Sequence, residues 1–219
     1  MNTMESEKTR ILIADDHSVV RNGIIKSLIV SLPNTEFGEA GNAIETLRII
    51  NEAKWNLVIL DINMPGRSGM DVLKEIKANY PLTPVIIFSM YPEDQFAIRA
   101  MRAGAVAYLS KDISSRELEK AIKKILNGER YFTPSIVALM TNELRDNNNN
   151  NKLPHELLSD REHQVFLLIA GGQNVSDIAQ DLSLSVKTIS VYRSIILKKM
   201  NLKNNAEITH YAFKNNLVE

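Results

Sequence analysis

The sequence contains no cysteine, which excludes disulfide bonds, thiolate metal sites and cysteine nucleophiles. It also has no excess of charge of either sign, because 26 basic residues balance 26 acidic ones. Composition alone therefore does not indicate nucleic-acid binding, and any basic surface must be local. There is no run of about 18 apolar residues, and the polar segment Met1–Arg10 has no apolar signal core. We therefore expect a cytoplasmic protein with no membrane-spanning segment.

The first part of the chain alternates between short apolar runs and amphipathic stretches. The runs are continuous and partly β-branched, as expected of strands buried on both faces. They lie at Ile11–Ala14, near Phe37, and at Leu57–Leu60, Val85–Phe88 and Ala105–Leu109. Stretches with helical periodicity follow them, at 18–31, 42–52, 69–79, 94–102 and 114–127. This alternation predicts an α/β domain with a doubly wound, five-stranded parallel sheet over residues 9–128.

The chain beyond Gly128 has only helical patterns. Thr133-Pro134 predicts the start of a short helix over 134–144. The polar run Asn147–Asn151 has no apolar residue to bury, so we assign 129–154 to a linker. Ser159 and Glu162 have the spacing of a capping box. An all-α domain of four helices is expected over 155–217, the last three helices at 175–182, 186–200 and 206–215.

Acidic and polar residues follow four of the predicted strands. They are Asp15 and Asp16 after the first strand, Asp61 after the third, Ser89 at the end of the fourth and Lys111 after the fifth. In doubly wound sheets, ligands bind beyond the carboxyl ends of the strands. We therefore expect the topology to bring three carboxylates, a hydroxyl and an ammonium group together at the carboxyl ends of the strands.

Clustered carboxylates repel one another unless a cation offsets their charge. Oxygen ligands without cysteine or histidine suit Mg²⁺. A carboxylate beside Mg²⁺ and Lys111 can attack phosphorus and form an aspartyl phosphate, whose charge both cations would offset. A single Asp at a strand end is usually a turn or capping residue. The prediction of a phosphoryl-transfer site therefore depends on the convergence of all five side chains.

The segments around this predicted site resemble the receiver domain of two-component signalling. They are Asp15-Asp16-His17, Leu60 to Gly66 with Gly69, Ser89, Gly104-Ala105 and Tyr108 to Lys111. The resemblance implies a flavodoxin-like fold with Asp61 as phosphoacceptor. It implies Mg²⁺ as cofactor, held by Asp15, Asp16, Asp61 and the backbone carbonyl of Asn63. It also implies that Lys111 and Ser89 contact the phosphoryl group, and that Ser89 and Tyr108 form a switch in which Tyr108 turns inward on activation.

The alternative is an enzyme, a Mg²⁺-dependent phosphatase of the haloacid-dehalogenase type. Such a phosphatase also uses an Asp nucleophile at a strand end. It needs a second acid two residues later to protonate the leaving group, and that position here holds Asn63. We therefore expect a regulator and not an enzyme.

The predicted helix 186–200 has one apolar and one polar face. Val186, Ile189, Ile196, Leu197 and Met200 follow helical spacing and form the expected buried face. On the opposite side fall Lys187, Ser190, Val191, Ser194 and Lys198. The segment 185–203 has five basic residues and no acidic one: Lys187, Arg193, Lys198, Lys199 and Lys203. This local basic stripe favours nucleic-acid binding.

This half of the chain resembles the LuxR-type helix-turn-helix over about 155–217. The matching segments are Leu158 to Glu162, Ile169 to Gly172, Ile178-Ala179, Leu182, Val186 to Ile189 and Leu197 to Met200. The resemblance implies that Ser190, Val191 and Ser194 face base edges. It implies phosphate contacts for Lys187, Thr188, Arg193 and Lys198, and dimerisation through the helix Ala206 to Asn215. Tyr192 either reaches a phosphate or packs in the core.

The two resemblances together indicate a response regulator of the NarL/FixJ class. Its expected function is phosphorylation-controlled transcription regulation, with Asp61 receiving the phosphoryl group and a dimer binding promoter DNA. The expected partners are a sensor histidine kinase, promoter DNA, a second copy of the chain and RNA polymerase. A receiver that acts without phosphorylation stays open as an alternative.

Overall fold

Five parallel strands form a single sheet in the first part of the chain, in the order β2-β1-β3-β4-β5. The computed structural model describes residues 8–146 and 153–218. The strands are β1 (Thr9–Ala14), β2 (Thr35–Ala40), β3 (Leu57–Leu60), β4 (Val85–Ser89) and β5 (Ala107–Ser110). The predicted doubly wound sheet is therefore confirmed. Strand order reverses between β1 and β3, which is where such sheets bind ligands.

A helix follows each strand: α1 (Ser18–Ser31), α2 (Ala43–Glu52), α3 (Gly69–Asn79), α4 (Glu93–Arg102) and α5 (Ser115–Leu126). On one face of the sheet, Ile13 and Ile59 pack with Leu28 of α1 and Ile122 of α5 in a continuous buried core. Every residue of β3 and β4 is buried. These strands therefore hold the residues at their carboxyl ends on a rigid base.

Two strands differ from the sequence expectation. The signal near Phe37 was weak because β2 is an edge strand whose Glu36 and Glu39 are exposed. β5 starts at Ala107 and not at Ala105. The amide of Ala105 still donates to the carbonyl of Ala100 at 3.0 Å, after Gly104 has turned the chain with a φ of 99°. Ala105 is thus apolar and buried without belonging to the strand.

The chain divides into two units, Met1–Thr133 and Pro134–Glu219. The second unit is helical, as predicted, with α6 (Pro134–Asp146), a 3₁₀ helix (Pro154–Leu157), α7 (Asp160–Ala170), α8 (Val175–Asp181), α9 (Val186–Met200) and α10 (Asn205–Lys214). The division groups α6 with the second unit, whereas the sequence analysis assigned it to the linker. The run Asn147–Asn151 lies outside the described residues, and the domain limits 9–128, 129–154 and 155–217 stay predictions.

Side-chain caps define where the helices of the second unit begin. Ser159 Oγ accepts from the N–H of Glu162, and Glu162 Oε2 accepts from the N–H of Ser159, so the expected capping box is present. Ser185 caps α9 by accepting from the N–H of Thr188 at 3.0 Å. Asn201 ends α9 in the left-handed conformation, with a φ of 55°. These short-range signals place α9 where the sequence predicted it.

Candidate functional site

Two buried carboxylates lie beyond β1 and β3, at the point where strand order reverses. Asp15 and Asp61 are each 2% exposed. Lys111, which follows β5, places its Nζ 2.6 Å from Asp15 Oδ2 and 2.8 Å from Asp61 Oδ2. The structure thus brings three of the predicted site residues into direct contact. Burial on this scale strengthens their electrostatic interaction, because little water screens it.

The pocket has more carboxylate oxygen than Lys111 can satisfy. Asp61 Oδ1 is buried and has no hydrogen-bond partner. Asp15 Oδ2 lies close to the Lys111 ammonium but is not aligned for a hydrogen bond. Ligand atoms of Asp15, Asp16, His17 and Asp61 all lie within 4.8 Å of one another. Because an unpaired buried carboxylate oxygen is costly, these oxygen donors fit a divalent cation such as Mg²⁺.

The pKa values of Asp61 and Lys111 reflect the same excess of carboxylate oxygens over cationic groups. Burial raises the pKa of Asp61 and Asp15 raises it further, although Lys111 and the backbone N–H of Asn63 favour the carboxylate. Burial alone would lower the pKa of Lys111, but its contacts with Asp61 and Asp15 raise it. Lys111 therefore stays charged, while Asp61 binds its proton more tightly than an exposed carboxyl group. An added cation would favour the ionised form of Asp61, which is the nucleophilic form.

The backbone around Asp61 is held from two sides. The amide of Asp61 donates to the carbonyl of Ala14 at 2.8 Å, which joins β1 to β3. The amide of Gly69, the first residue of α3, donates to the carbonyl of Ile62 at 2.9 Å. A Cβ atom at Gly69 would lie 1.9 Å from the Asp61 carbonyl oxygen. Position 69 therefore needs glycine for space, and α3 packs directly on the backbone of the acidic residue.

Ser89 and Tyr108 lie on the neighbouring strands β4 and β5. Both are fully buried. Ser89 Oγ accepts from the N–H of Tyr91 at 3.2 Å, and the Tyr108 hydroxyl donates to the carbonyl of Tyr91 at 2.8 Å. Burial raises the pKa of Tyr108, so its hydroxyl remains a donor. Tyr91 therefore links the two predicted switch residues, and Tyr108 occupies the inward position in this structure.

One exposed face of α9 holds five of the predicted DNA-contact residues. Lys187, Ser190, Val191, Ser194 and Lys198 line one shallow depression together with Ile195. Ile189, Ile196 and Met200 are buried on the other side, as predicted. Val186, which belongs to the predicted buried face, is 51% exposed, so the buried face of α9 begins at Ile189. Tyr192 is half-buried.

The predicted basic stripe is divided between two sides of α9. Lys199 Nζ lies 2.7 Å from Glu162 Oε2 and so joins α9 to α7. Arg193 Nε donates to Asn205 Oδ1 at 2.6 Å, which joins α9 to α10. Thr188 Oγ1 lies 2.7 Å from Ser185 Oγ within the helix cap. Lys187 and Lys198 remain on the exposed face and give that face its positive charge.

Comparisons with known proteins match both halves of the chain. Residues 11–123 match the response regulator receiver domain, and residues 156–212 match the bacterial regulatory proteins of the luxR family. The response regulator GacA of Pseudomonas viridiflava is 33% identical over 213 residues, 96% of this chain and 98% of GacA. The oxygen regulatory protein NreC of Staphylococcus carnosus (strain TM300) is 31% identical over 215 residues, 96% of this chain and 99% of NreC. The chain belongs to the response regulators.

A solved structure of the response regulator RcsB in complex with DNA agrees with this membership. It is 25% identical, has a TM-score of 0.57 and covers 93% of this chain and 97% of RcsB. The regulator combines a receiver domain with a LuxR-type DNA-binding domain, and it acts as a phosphorylation-controlled transcription regulator of a two-component system. The family is one of DNA-binding regulators, so a haloacid-dehalogenase-like phosphatase is not favoured. Within the described residues, no helix of the regulator is both long and apolar enough to cross a membrane.

Sequence reasoning gave no role to His17, although it is part of the quoted motif. His17 Nδ1 lies 2.7 Å from Asp16 Oδ1 and 3.4 Å from Asp15 Oδ1. Its backbone N–H donates to Asp15 Oδ1 at 2.8 Å. The only signal in the sequence was adjacency to the paired acids. Sequence reasoning also could not show that Lys199 and Arg193 bind other helices of their own unit.

Proposed function

We propose that Asp61 is the phosphoacceptor of the regulator. The observation that carries this proposal is the buried Asp61 carboxylate, which has Oδ2 2.8 Å from Lys111 and Oδ1 without a hydrogen-bond partner. Of the other acidic residues in the pocket, Asp15 accepts the N–H of His17 through Oδ1 and has Oδ2 in an ion pair with Lys111 at 2.6 Å, and Asp16 Oδ1 lies 2.7 Å from His17 Nδ1. Asp61 therefore has the oxygen that is placed to bond to phosphorus.

In the proposed reaction, an Asp61 oxygen attacks the phosphorus of a phosphohistidine on a separate sensor kinase. The new O–P bond forms as the N–P bond to the kinase breaks, and the histidine nitrogen leaves with the bonding electron pair. Lys111, already in contact with Asp61, offsets charge on the phosphoryl oxygens. The Ser89 hydroxyl donates a hydrogen bond to one of them. Mg²⁺ bound by Asp15, Asp16, Asp61 and the Asn63 carbonyl would supply further charge stabilisation.

The signal within the receiver is proposed to pass through Ser89 and Tyr108. Movement of Ser89 toward a phosphoryl oxygen would break its hydrogen bond with Tyr91, the residue whose carbonyl also holds the Tyr108 hydroxyl. The inward position of Tyr108 is then one of two arrangements whose balance phosphorylation alters. The loop Met90–Tyr91 and α4, which follow Ser89, are the elements that such a change would displace.

For DNA binding, we propose that the exposed face of α9 enters the major groove. Ser190, Val191 and Ser194 are exposed and face base edges, while Lys187 and Lys198 at either end of the same depression contact phosphates. Thr188 and Arg193 are also proposed phosphate contacts. Arg193 would use its terminal NH₂ groups, because its Nε already binds Asn205. The solved RcsB–DNA complex supports this assignment by likeness.

Dimerisation is proposed to use α10. Ala206, Thr209 and Phe213 are exposed and share one face of this helix by their spacing, and Phe213 is 66% exposed. Ile208 and Ala212 bury the opposite face. A second copy would cover Phe213 and bring two recognition helices to neighbouring half-sites.

The test is Mg²⁺-dependent phosphorylation of the full-length chain by a small acyl phosphate. We expect one hydroxylamine-sensitive phosphoryl group per chain, lost in Asp61→Asn and retained in Asp94→Asn, whose exposed carboxylate lies on α4. Stoichiometric labelling that persists in Asp61→Asn would place the acceptor elsewhere. DNA affinity of the same three proteins, with and without phosphodonor, separates phosphorylation control from a receiver that acts without it.

A further inference from the structure

His17 lies at the edge of the acidic pocket, where the sequence resemblance assigned only oxygen ligands. Its Nδ1 is 2.7 Å from Asp16 Oδ1, and its ring nitrogen belongs to the same cluster of ligand atoms as Asp15, Asp16 and Asp61, all within 4.8 Å of one another. The buried Asp61 Oδ1 in this cluster has no hydrogen-bond partner. The pocket therefore offers three carboxylates and an imidazole nitrogen to one cation.

The His17 ring does not cap the helix that it precedes, and its Nδ1 points to the acidic residues instead. His17 is the N-cap of α1, but its side chain makes no capping hydrogen bond. Residues that favour this position usually accept from the first turn of the helix. Here the backbone N–H of His17 donates to Asp15 Oδ1, while the ring lies beside the Asp16 carboxylate. The side chain is 62% exposed, so turning the ring toward a bound cation would cost little packing.

We infer that His17 is a nitrogen ligand for first-row transition-metal dications at this pocket. The inference rests on the proposed cation site and extends it to a second class of metal. Mg²⁺ prefers oxygen ligands and retains waters, so it would bind the carboxylates without the ring. Imidazole nitrogen suits Co²⁺, Ni²⁺ and Zn²⁺, and it adds affinity for these ions beyond that of carboxylates alone.

Binding through the ring changes the existing hydrogen bond in a defined way. The neutral imidazole would bind through Nδ1 and keep its proton on Nε2. The contact between Nδ1 and Asp16 Oδ1 is then replaced by two metal bonds, one from each partner. The exposed Asp16 carboxylate is thereby drawn to the same ion as the buried Asp15 and Asp61. The pocket would thus distinguish metals by a residue that Mg²⁺ leaves unused.

The experiment compares full-length wild type, His17→Ala and His210→Ala. His210 is an exposed histidine on α10, so its removal controls for nonspecific binding to imidazole. Cu²⁺, which prefers imidazole ligands, is bound to each protein and examined by pulsed electron paramagnetic resonance for coupling to nitrogen. Calorimetry measures Co²⁺ and Mg²⁺ affinity. We expect nitrogen coupling in wild type and His210→Ala and its loss in His17→Ala. We also expect Co²⁺ affinity to fall about ten-fold or more in His17→Ala, with Mg²⁺ affinity unchanged.

The outcomes separate this inference from the proposed function. If wild type binds Cu²⁺ without nitrogen coupling, or if His17→Ala keeps the full Co²⁺ affinity, the nitrogen ligand is refuted and the carboxylate site stands. If wild type binds neither Mg²⁺ nor Co²⁺, the proposed cation site itself is refuted. Asp61→Asn should weaken both metals, because it removes a carboxylate that both classes use.

Discussion

At the scale of single residues, the site depends on a glycine as much as on its charged groups. Gly69 has no side chain because the carbonyl oxygen of Asp61 occupies the position that a Cβ atom would take. This contact sets the distance between α3 and the end of β3. The height of the Asp61 carboxylate in the pocket, and so its distance to Lys111, depends on that spacing.

Gly69→Ala should therefore damage both folding and phosphorylation. A Cβ placed 1.9 Å from the Asp61 oxygen requires the backbone to move. We expect a loss of about 2–3 kcal/mol in the free energy of unfolding, as for overpacking in a core. Chemical denaturation measures this loss, and acyl-phosphate labelling measures the slower phosphorylation.

Gly23→Ala is the matched control for this change. Gly23 lies inside α1, and a Cβ atom there would have nothing within 4 Å. Alanine should stabilise the helix by about 0.5–1 kcal/mol and leave phosphorylation unchanged. Equal stability of the two variants would contradict the role given to Gly69.

At the scale of elements, α9 has one exposed face and another side that contacts α7, and its sequence alone does not separate the two. Adjacent lysines on this helix point to different surroundings. Lys198 lies on the exposed face with Ser194 and Val191. Lys199 forms an ion pair with Glu162, the residue that also closes the capping box of α7. One lysine is thus available to a partner molecule, while the other connects two helices of the same domain.

Replacing each of these lysines by alanine should give opposite results. Lys198→Ala removes a proposed phosphate contact, so it should weaken binding to all DNA sequences and reduce the salt slope by about one unit. Lys199→Ala should change the salt slope much less and lower stability by about 0.5–1 kcal/mol. Fluorescence anisotropy across a salt series and thermal denaturation measure the two effects. Identical salt slopes for both variants would show that the exposed face is not the DNA-contact face.

The same ion pair predicts a dependence of stability on pH. Burial alone would raise the pKa of Glu162, but Lys199 and the N–H of Ser159 lower it below its ordinary value of 4.5. The folded state therefore binds this proton more weakly than the unfolded state. The contribution of Glu162 is complete above pH 4.5 and is lost as the pH falls through the lower pKa of the folded protein. The difference in melting temperature between wild type and Glu162→Gln should shrink across that range, and a constant difference would refute the assignment.

At the scale of the whole molecule, two chemically different surfaces are carried by separate units. The acidic pocket belongs to Met1–Thr133, and the exposed face of α9 belongs to Pro134–Glu219. No residue of one surface is close in sequence to a residue of the other. We propose that phosphorylation affects DNA binding through assembly or through release of the DNA-binding domain. Assembly through α10 would increase affinity because the second half-site is then bound at high effective concentration.

Phe213→Ser tests this assembly. Phe213 is exposed, so its replacement should not unfold α10, but it removes the largest apolar group of the proposed dimer face. We expect weaker dimerisation in sedimentation analysis and weaker binding to paired half-sites. Binding to a single half-site should stay unchanged. Leu82→Ser, at a position 94% exposed in the loop before β4, is the control for loss of an exposed apolar side chain. A dimer that persists in Phe213→Ser would exclude α10 as its interface.

Local patterns in the sequence were enough to predict the helices and strands and the chemical character of the pocket. β3, α1 and α3 have the predicted limits, because burial on two faces and helical periodicity are local properties of a chain. The strand-end rule led to Asp15, Asp61 and Lys111, because parallel strands end at one edge. Charge counting was less successful along α9, where it assigned Lys199 and Arg193 to the same stripe as Lys198.

The neighbours of these side chains follow from the packing of the elements and could not be read from local patterns. Glu162 meets Lys199, and Asn205 meets Arg193, across helices that local patterns treat independently. Lys111 meets Asp15 and Asp61, and the carbonyl of Asp61 fills the space beside Gly69. Such contacts depend on distances of a few ångströms between elements far apart in sequence. Periodicity shows which face of a helix is buried, but the packing of the whole domain sets what each buried or exposed group contacts.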